Sequence, residues 1–199
     1  PALSERLPMS TSTFNLYLDS CSDALQSKHY SQALDVWQKA ARTPKKPEDG
    51  EAQLVDALDK IVDAAKDGGE ADCVIEAYEK GFEELCKVYP NSRGAVYIAA
   101  RLSTFFEEME ELGKAREWID RGLEMAYAAG WKDLPEEGVL QNDLGMLLIQ
   151  QEKYEEAIEA LKRSHDILRT HEGERSRRVA DNLAAMGDCY RELDRLDEA

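Results

Sequence analysis

Asp56, Asp59, Asp63 and Asp67 follow one another at steps of three, four and four, and on a helix such steps bring four carboxylates to one face. The chemistry open to that strip is electrostatic: it would draw in a Lys- or Arg-bearing peptide. Like charges on neighbouring turns repel by a few tenths of a kcal/mol per pair, so the strip slightly weakens its own helix. The plainer alternative is a solvated acidic face, because Lys60 and Lys66 are interleaved and 41 acidic residues stand against 25 basic ones, a formal net charge of −16. Both readings stay open at the level of sequence.

Catalytic and metal chemistry find less support. His29, His165 and His171 have no carboxylate or nucleophile at a supporting spacing, and a general base must be positioned by partners, so they read as surface histidines. Cys21, Cys73, Cys86 and Cys189 form no CxxC pair and have no histidine at a zinc-finger spacing, which fits reduced thiols rather than a metal site or a redox motif. There is no phosphate-binding Gly-rich loop, GxSxG elbow or HExxH. The expectation is a non-enzyme with no cofactor. The negative charge opposes phosphate backbones and anionic membranes, which excludes nucleic acid and membrane as partners. No run approaches the roughly 18 apolar residues of a spanning helix, and PALSERLPMSTSTF lacks the regions of a secretory signal. A soluble, cytoplasmic protein is expected. The first residue is not methionine and the last falls inside a repeat, as in a piece of a longer chain.

The elements that must position these residues come from a period. Cys21, Val62, Ser103, Gly145 and Gly187 stand 41, 41, 42 and 42 residues apart, and twelve positions after each comes Ala33, Val74, Ala115, Ala157 and Ala199. A period of 20 to 50 residues marks a solenoid whose units bury their apolar faces against their neighbours. Apolar spacings of three and four, without strand-like alternation, make each unit a pair of amphipathic helices. In the fourth unit the first helix is expected over 138–151, QEKY turns, and the second helix runs to about Arg169. The second helices carry Trp37, Tyr78, Ile119 and Leu161, then Ala40, Gly81, Gly122 and Ser164 three later. Large then small makes a knob and a socket. The turns share Tyr30, Ala71, Leu112, Tyr154 and Leu196, expected to cover the closed end of each hairpin. Cys21 falls on the close-packing position, where a small buried side chain is needed.

LGMLLIQQEKYEEAIEALKRS, MGDCYRELDRLDEA and EAYEKGFEEL resemble the tetratricopeptide repeat, and the step of 41 to 42 instead of 34 is similar to the longer repeats of kinesin light chains. The resemblance implies an all-α fold, a right-handed α-solenoid of antiparallel helix pairs. An extension 1–13 would precede repeats at about 14–54, 55–95, 96–137 and 138–179, with a partial fifth at 180–199. The additional residues are expected in longer helices and in loops such as RTPKKPEDG and GWKDLPEEG.

The family register also places first helices along a concave groove. That implies a groove lined by Asp56, Asp59, Asp63 and Asp67, then Tyr97, Arg101, Thr104, Glu107 and Glu108, then Asn142, Asp143, Met146 and Ile149, and last Asp181, Asp188 and Arg191. Tyr97, Met146 and Ile149 would add apolar contact. The Lys/Asn/Arg clamp that holds terminal carboxylates in chaperone-binding members is missing, its sites carrying aspartate, alanine or leucine. The resemblance implies a non-catalytic adaptor holding a peptide or protein segment, a Lys/Arg-rich one if the acidic strip is used, with self-association an open possibility. A regulatory arm of a larger enzyme or receptor, or a structural subunit of an assembly, are the alternatives.

Overall fold

The computed structural model describes residues 13–44 and 49–195. Among them are nine α-helices and no strand: α1 Thr13–Gln26, α2 Tyr30–Ala41, α3 Gly50–Asp67, α4 Ala71–Val88, α5 Arg93–Glu108, α6 Leu112–Ala128, α7 Pro135–Gln150, α8 Tyr154–Glu172 and α9 Arg177–Glu192. They fall into two compact units, residues 1–94 and 95–199, so that α5 begins at the division. The extension 1–13 lies outside the described residues except for Thr13, which opens α1.

In the first unit α1 packs on α2, α3 on α4, and α2 on both α3 and α4. The knob positions are the centre of this core. Trp37 is fully buried and its indole Nε1 donates to the Leu54 carbonyl at 2.7 Å, and Tyr78 is buried as well, at 1% exposure. The amphipathic stripe is thus satisfied twice, by apolar contact and by giving the one polar atom of Trp37 a partner. Cys21 is buried and its thiol donates to the Ala33 carbonyl at 2.8 Å, across the helix pair. Burial pushes this thiol up to about 11, so it is an inert packing residue.

In the second unit α6 packs on α7, α7 on α8 and α8 on α9. The small residues sit where helices come closest. A Cβ on Gly145 would stand 2.6 Å from Leu161 Cγ, one on Gly122 2.7 Å from Leu140 Cδ1, and one on Gly138 2.9 Å from Leu168 Cδ2. The knob Leu161 thus packs on Gly145, and the socket Gly122 takes Leu140 of α7. Ser164 fills its socket differently: its hydroxyl donates to the Gly138 carbonyl at 2.7 Å and accepts from Asn182 Nδ2 at 2.8 Å, joining α7, α8 and α9. Cys21, Val62, Ser103 and Gly145 are buried, as are Ala33, Val74, Ala115 and Ala157; Gly187 is half-buried. Leu196 and Ala199 lie outside the described residues.

The helix-pair turns obey the same period. Lys28, Gly69, Glu110, Glu152 and Asp194 all have φ between 56° and 75°, and each follows the preceding at 41, 41, 42 and 42 residues. After each, the next amide bonds back over the helix end, as His29 N to Ala24 O, Glu111 N to Phe106 O and Lys153 N to Leu148 O. This is the Schellman arrangement, which satisfies the last carbonyls of the first helix and reverses the chain. Of the turn residues, Tyr30 and Tyr154 are half-buried, whereas Ala71 and Leu112 are exposed, so only the aromatics cover the closed end.

The long period goes chiefly into helix. PEEG of GWKDLPEEG forms the first turn of α7, with Pro135 at its start and Glu136 and Glu137 behind it, a sequence preset for a helix N-terminus. The expectation of a nine-residue loop there is corrected. In RTPKKPEDG, residues 45–48 lie outside the described residues.

Candidate functional site

In the first unit, α1 and α3 flank a cavity of about 260 Å³ lined by Leu18, Asp19, Cys21, Ser22, Leu25, Gln53, Asp56, Ala57 and Lys60. Asp56 is the one expected contact residue on this wall. Its carboxylate holds Lys60 Nζ at 2.6 Å, and both side chains are about two-thirds exposed. Such an exposed i,i+4 pair is worth at most about 1 kcal/mol, so an incoming cation can compete for Asp56. Asp63 and Asp67 are exposed on the same helix. Asp59 differs: it is half-buried and accepts from the Tyr78 hydroxyl of α4 at 3.5 Å. The strip therefore splits, Asp56 facing α1 and Asp59 leaning on α4.

Asp19, Ser22 and Gln53 are lining residues that the sequence reading missed. A signal existed for two of them. Asp19 and Ser22 stand 41 residues before Lys60 and Asp63, so extending the register into the first repeat would have found them.

In the second unit the expected contact residues divide between surface and interior. Met146 is exposed at 40%, Asn142 is half-buried, and Tyr97 and Arg101 are half-buried with interactions of their own. Ile149 is packed against the cluster of Leu148, Ile158, Leu161 and Tyr190, so it serves repeat packing. Asp181 and Asp188 are exposed beside Arg177 and Arg191, with which they pair.

Asp143, expected on the groove side, is instead buried to 3% exposure. Ser103 and Thr104 of α5 turn their hydroxyls to its Oδ2 at 2.7 and 3.1 Å, and Asn142 Nδ2 lies 3.3 Å from its Oδ1. A buried carboxyl survives only with such donors. Burial raises its pKa against the lowering effect of those bonds. Glu107, also expected on the groove, is half-buried, and burial together with the charge of Asp143 pushes it up to about 8.

Two further buried carboxylates tie helices together. Glu84 of α4 is 4% exposed and takes a bidentate bond from Arg42 at 2.7 and 2.9 Å; this bond chiefly holds its pKa down to about 2. Glu137 is fully buried, accepting from Arg163 Nε and Nη2 at 2.9 and 2.8 Å and from the Asp133 amide at 2.9 Å. These are framework bonds. Of the histidines, His29 and His171 are exposed, but His165 is half-buried with a buried Nδ1 that has no hydrogen-bond partner, which corrects the surface reading for that residue. Among the described residues no group of three or more His, Cys, Asp or Glu could hold a metal ion, and no described helix is long and apolar enough to cross a membrane.

Helix pairs stacked at a constant period, closed by identical turns and joined by small residues at fixed positions, define an all-α helical-repeat solenoid. Residues 136–199 match the family model described as tetratricopeptide repeat. Among solved structures the chain is similar to BtubC (BKLC) from P. vanneervenii at 14% identity and a TM-score of 0.63, covering 95% of this chain and 87% of that one. It is also similar to a putative kinesin light chain with nearly identical TPR-like repeats from Podosopora anserina, at 12% identity, a TM-score of 0.54 and coverage of 96% and 92%. A third is MamA AMB-1, at 19% identity, a TM-score of 0.53 and coverage of 94% and 85%. No curated protein matches the sequence. Residues 136–199 thus match the tetratricopeptide-repeat family, and the fold of the chain is similar to that of solved TPR-like repeats, a putative kinesin light chain among them.

Proposed function

We propose that this chain is a non-catalytic adaptor that binds a protein segment rich in Lys or Arg, with the α1/α3 cavity of the first unit as the point of entry. The observation that carries this reading is the pair of carboxylates, Asp19 and Asp56, on opposite walls of a cavity of about 260 Å³ that also offers Leu18, Leu25 and Ala57. A lysine or arginine stem would lie along the apolar wall with its head at the carboxylates. Asp63 and Asp67, exposed further along α3, would steer the approach, and the net charge of −16 would speed association in a salt-dependent way. Asp59 would contribute through its charge while tied to Tyr78. In the second unit, Met146, Asn142, Thr104, Tyr97 and Arg101 form a separate candidate face for the same segment, with Ile149 behind it. The tetratricopeptide family is generally non-catalytic, which agrees with the absence of enzymatic motifs in the sequence. Four free cysteines fit action in the reducing cytoplasm.

The test is fluorescence-anisotropy titration with a set of Lys/Arg-rich peptides at two salt concentrations, using the protein and its Asp56→Lys/Asp63→Lys variant. Binding should weaken at least tenfold in the variant while far-ultraviolet circular dichroism stays the same. Equal affinity in both proteins removes the acidic face from the account.

A further inference from the structure

The buried carboxylates Glu84, Glu137 and Asp143 each have a cation or several donors facing them, but the half-buried Glu107 does not. It lies on α5 one turn beyond Ser103 and Thr104, the residues that hold Asp143 of α7. Its Oε1 is buried with no hydrogen-bond partner. The charge that acts on it is Asp143, itself 3% exposed and bonded to Ser103, Thr104 and Asn142, the two hydroxyls also lying 2.9 and 3.1 Å from the Ala100 carbonyl.

The other charged groups around the pair are engaged elsewhere. Lys114 of α6 rests over the Phe106 ring, 5.3 Å from its centroid. Arg178 of α9 acts on Asp143, but its Nη1 is bonded to Glu172 Oε1 at 2.9 Å. On α5 itself Arg101 is half-buried with interactions of its own, and Glu108 is exposed. Glu107 stands one turn along α5 from the hydroxyls bonded to Asp143, within reach of that carboxyl's charge and with a buried oxygen that has no partner; two such groups cannot both be charged without cost, and the poorer-solvated one keeps its proton.

We propose that Glu107 and Asp143 form a pH-sensitive joint between α5 and α7, in which Glu107 is protonated in the folded second unit and loss of that proton loosens the pairing of the two helices. The proton leaves to solvent, and the resulting carboxylate faces Asp143 with a buried oxygen that nothing solvates. The bonds from Ser103, Thr104 and Asn142 favour the anion of Asp143, against the larger effect of its burial. The joint stands apart from the peptide reading: it needs no ligand. It does bear on the face described above, since Thr104 and Asn142 are the residues whose positions it sets.

The experiment is carboxyl-detected NMR titration of the full chain labelled at glutamate, with hydrogen exchange followed at pH 5.5 and 8.5. Glu107 is assigned by the resonance missing from Glu107→Gln. Its midpoint should lie near 8, and Asp143→Asn should move it down. At pH 8.5 the amides of α5 and α7 should exchange faster in the parent protein than in Glu107→Gln, with no such difference at pH 5.5. A midpoint in the ordinary carboxylate range overturns the proposal. So does a raised midpoint that Asp143→Asn leaves in place, or exchange rates that match at both pH values. If Glu107→Gln fails to fold, the titration of the parent and of Asp143→Asn still decides, the resonance then being assigned by through-bond correlation.

Discussion

Gly145 shows how much a single side chain can decide here. Its would-be Cβ stands 2.6 Å from Leu161 Cγ and 2.8 Å from Leu161 Cδ2, and Leu161 is itself the fully buried knob of α8. Replacing it by leucine inserts several carbons into filled space. Gly145→Leu should cost on the order of 1 to 3 kcal/mol, read as a lowered midpoint in thermal denaturation; an unchanged midpoint would refute the assigned register. Ser164 solves the same packing problem with a polar atom, and its bond from the fully buried Asn182 shows that the socket tolerates a hydroxyl only where a donor arrives from the next helix.

At the scale of the element, the turn is the repeated device. Four of the five positive-φ turn positions carry Lys, Glu or Asp, with only Gly69 a glycine. A side chain in the left-handed region costs roughly 1 to 2 kcal/mol, a penalty glycine avoids, though glycine loses more entropy on folding. Glu152, at φ 59° and exposed, makes the balance measurable. Glu152→Gly should leave stability level or raise it by up to about 1 kcal/mol in urea unfolding, the reverse of what glycine does inside a helix. A loss of about 1 kcal/mol, the cost of glycine in a helix interior, would show that this turn is not held in the left-handed conformation in solution.

For the molecule as a whole, the buried Glu84 and the half-buried Glu107 set opposite limits on pH. Glu84 sits near 2 when folded against 4.5 for the free group, because Arg42 stabilises its anion. Its contribution is complete above 4.5 and is lost as the pH falls toward 2. Glu107 sits near 8 against the same 4.5. There the folded chain holds a proton that the unfolded chain releases, so stability falls as the pH rises from 4.5 to 8 and levels off beyond. Self-repulsion at a net charge of −16 acts in the same sense as Glu107. Thermal midpoints from pH 3 to 9 should therefore peak near pH 5; a midpoint that climbs steadily to pH 8 would contradict the assignment of Glu107, and one that does not rise between pH 3 and 4.5 the assignment of Glu84.

The period, the helix pairs and the alternation of knob and socket were legible in the chain itself, because each repeat buries the same face against its neighbour and packing writes itself into residue size at a fixed step. Trp37, Tyr78, Ile119 and Leu161 needed no coordinates to be placed. The close-packed Gly145 and the inert Cys21 were legible for the same reason. Polar residues at the edge of that face were not. Asp143 and Thr104 have the same helical periodicity as solvent-facing groups, yet Asp143 turns inward because Ser103 and Thr104, 40 and 39 residues earlier, aim their hydroxyls at it. Asp59 leans on Tyr78 from 19 residues away, while Asp56 meets Asp19 across a cavity. Helical period says which side of a helix a residue is on, and only the neighbouring helix decides whether that side offers water, a donor or another carboxylate.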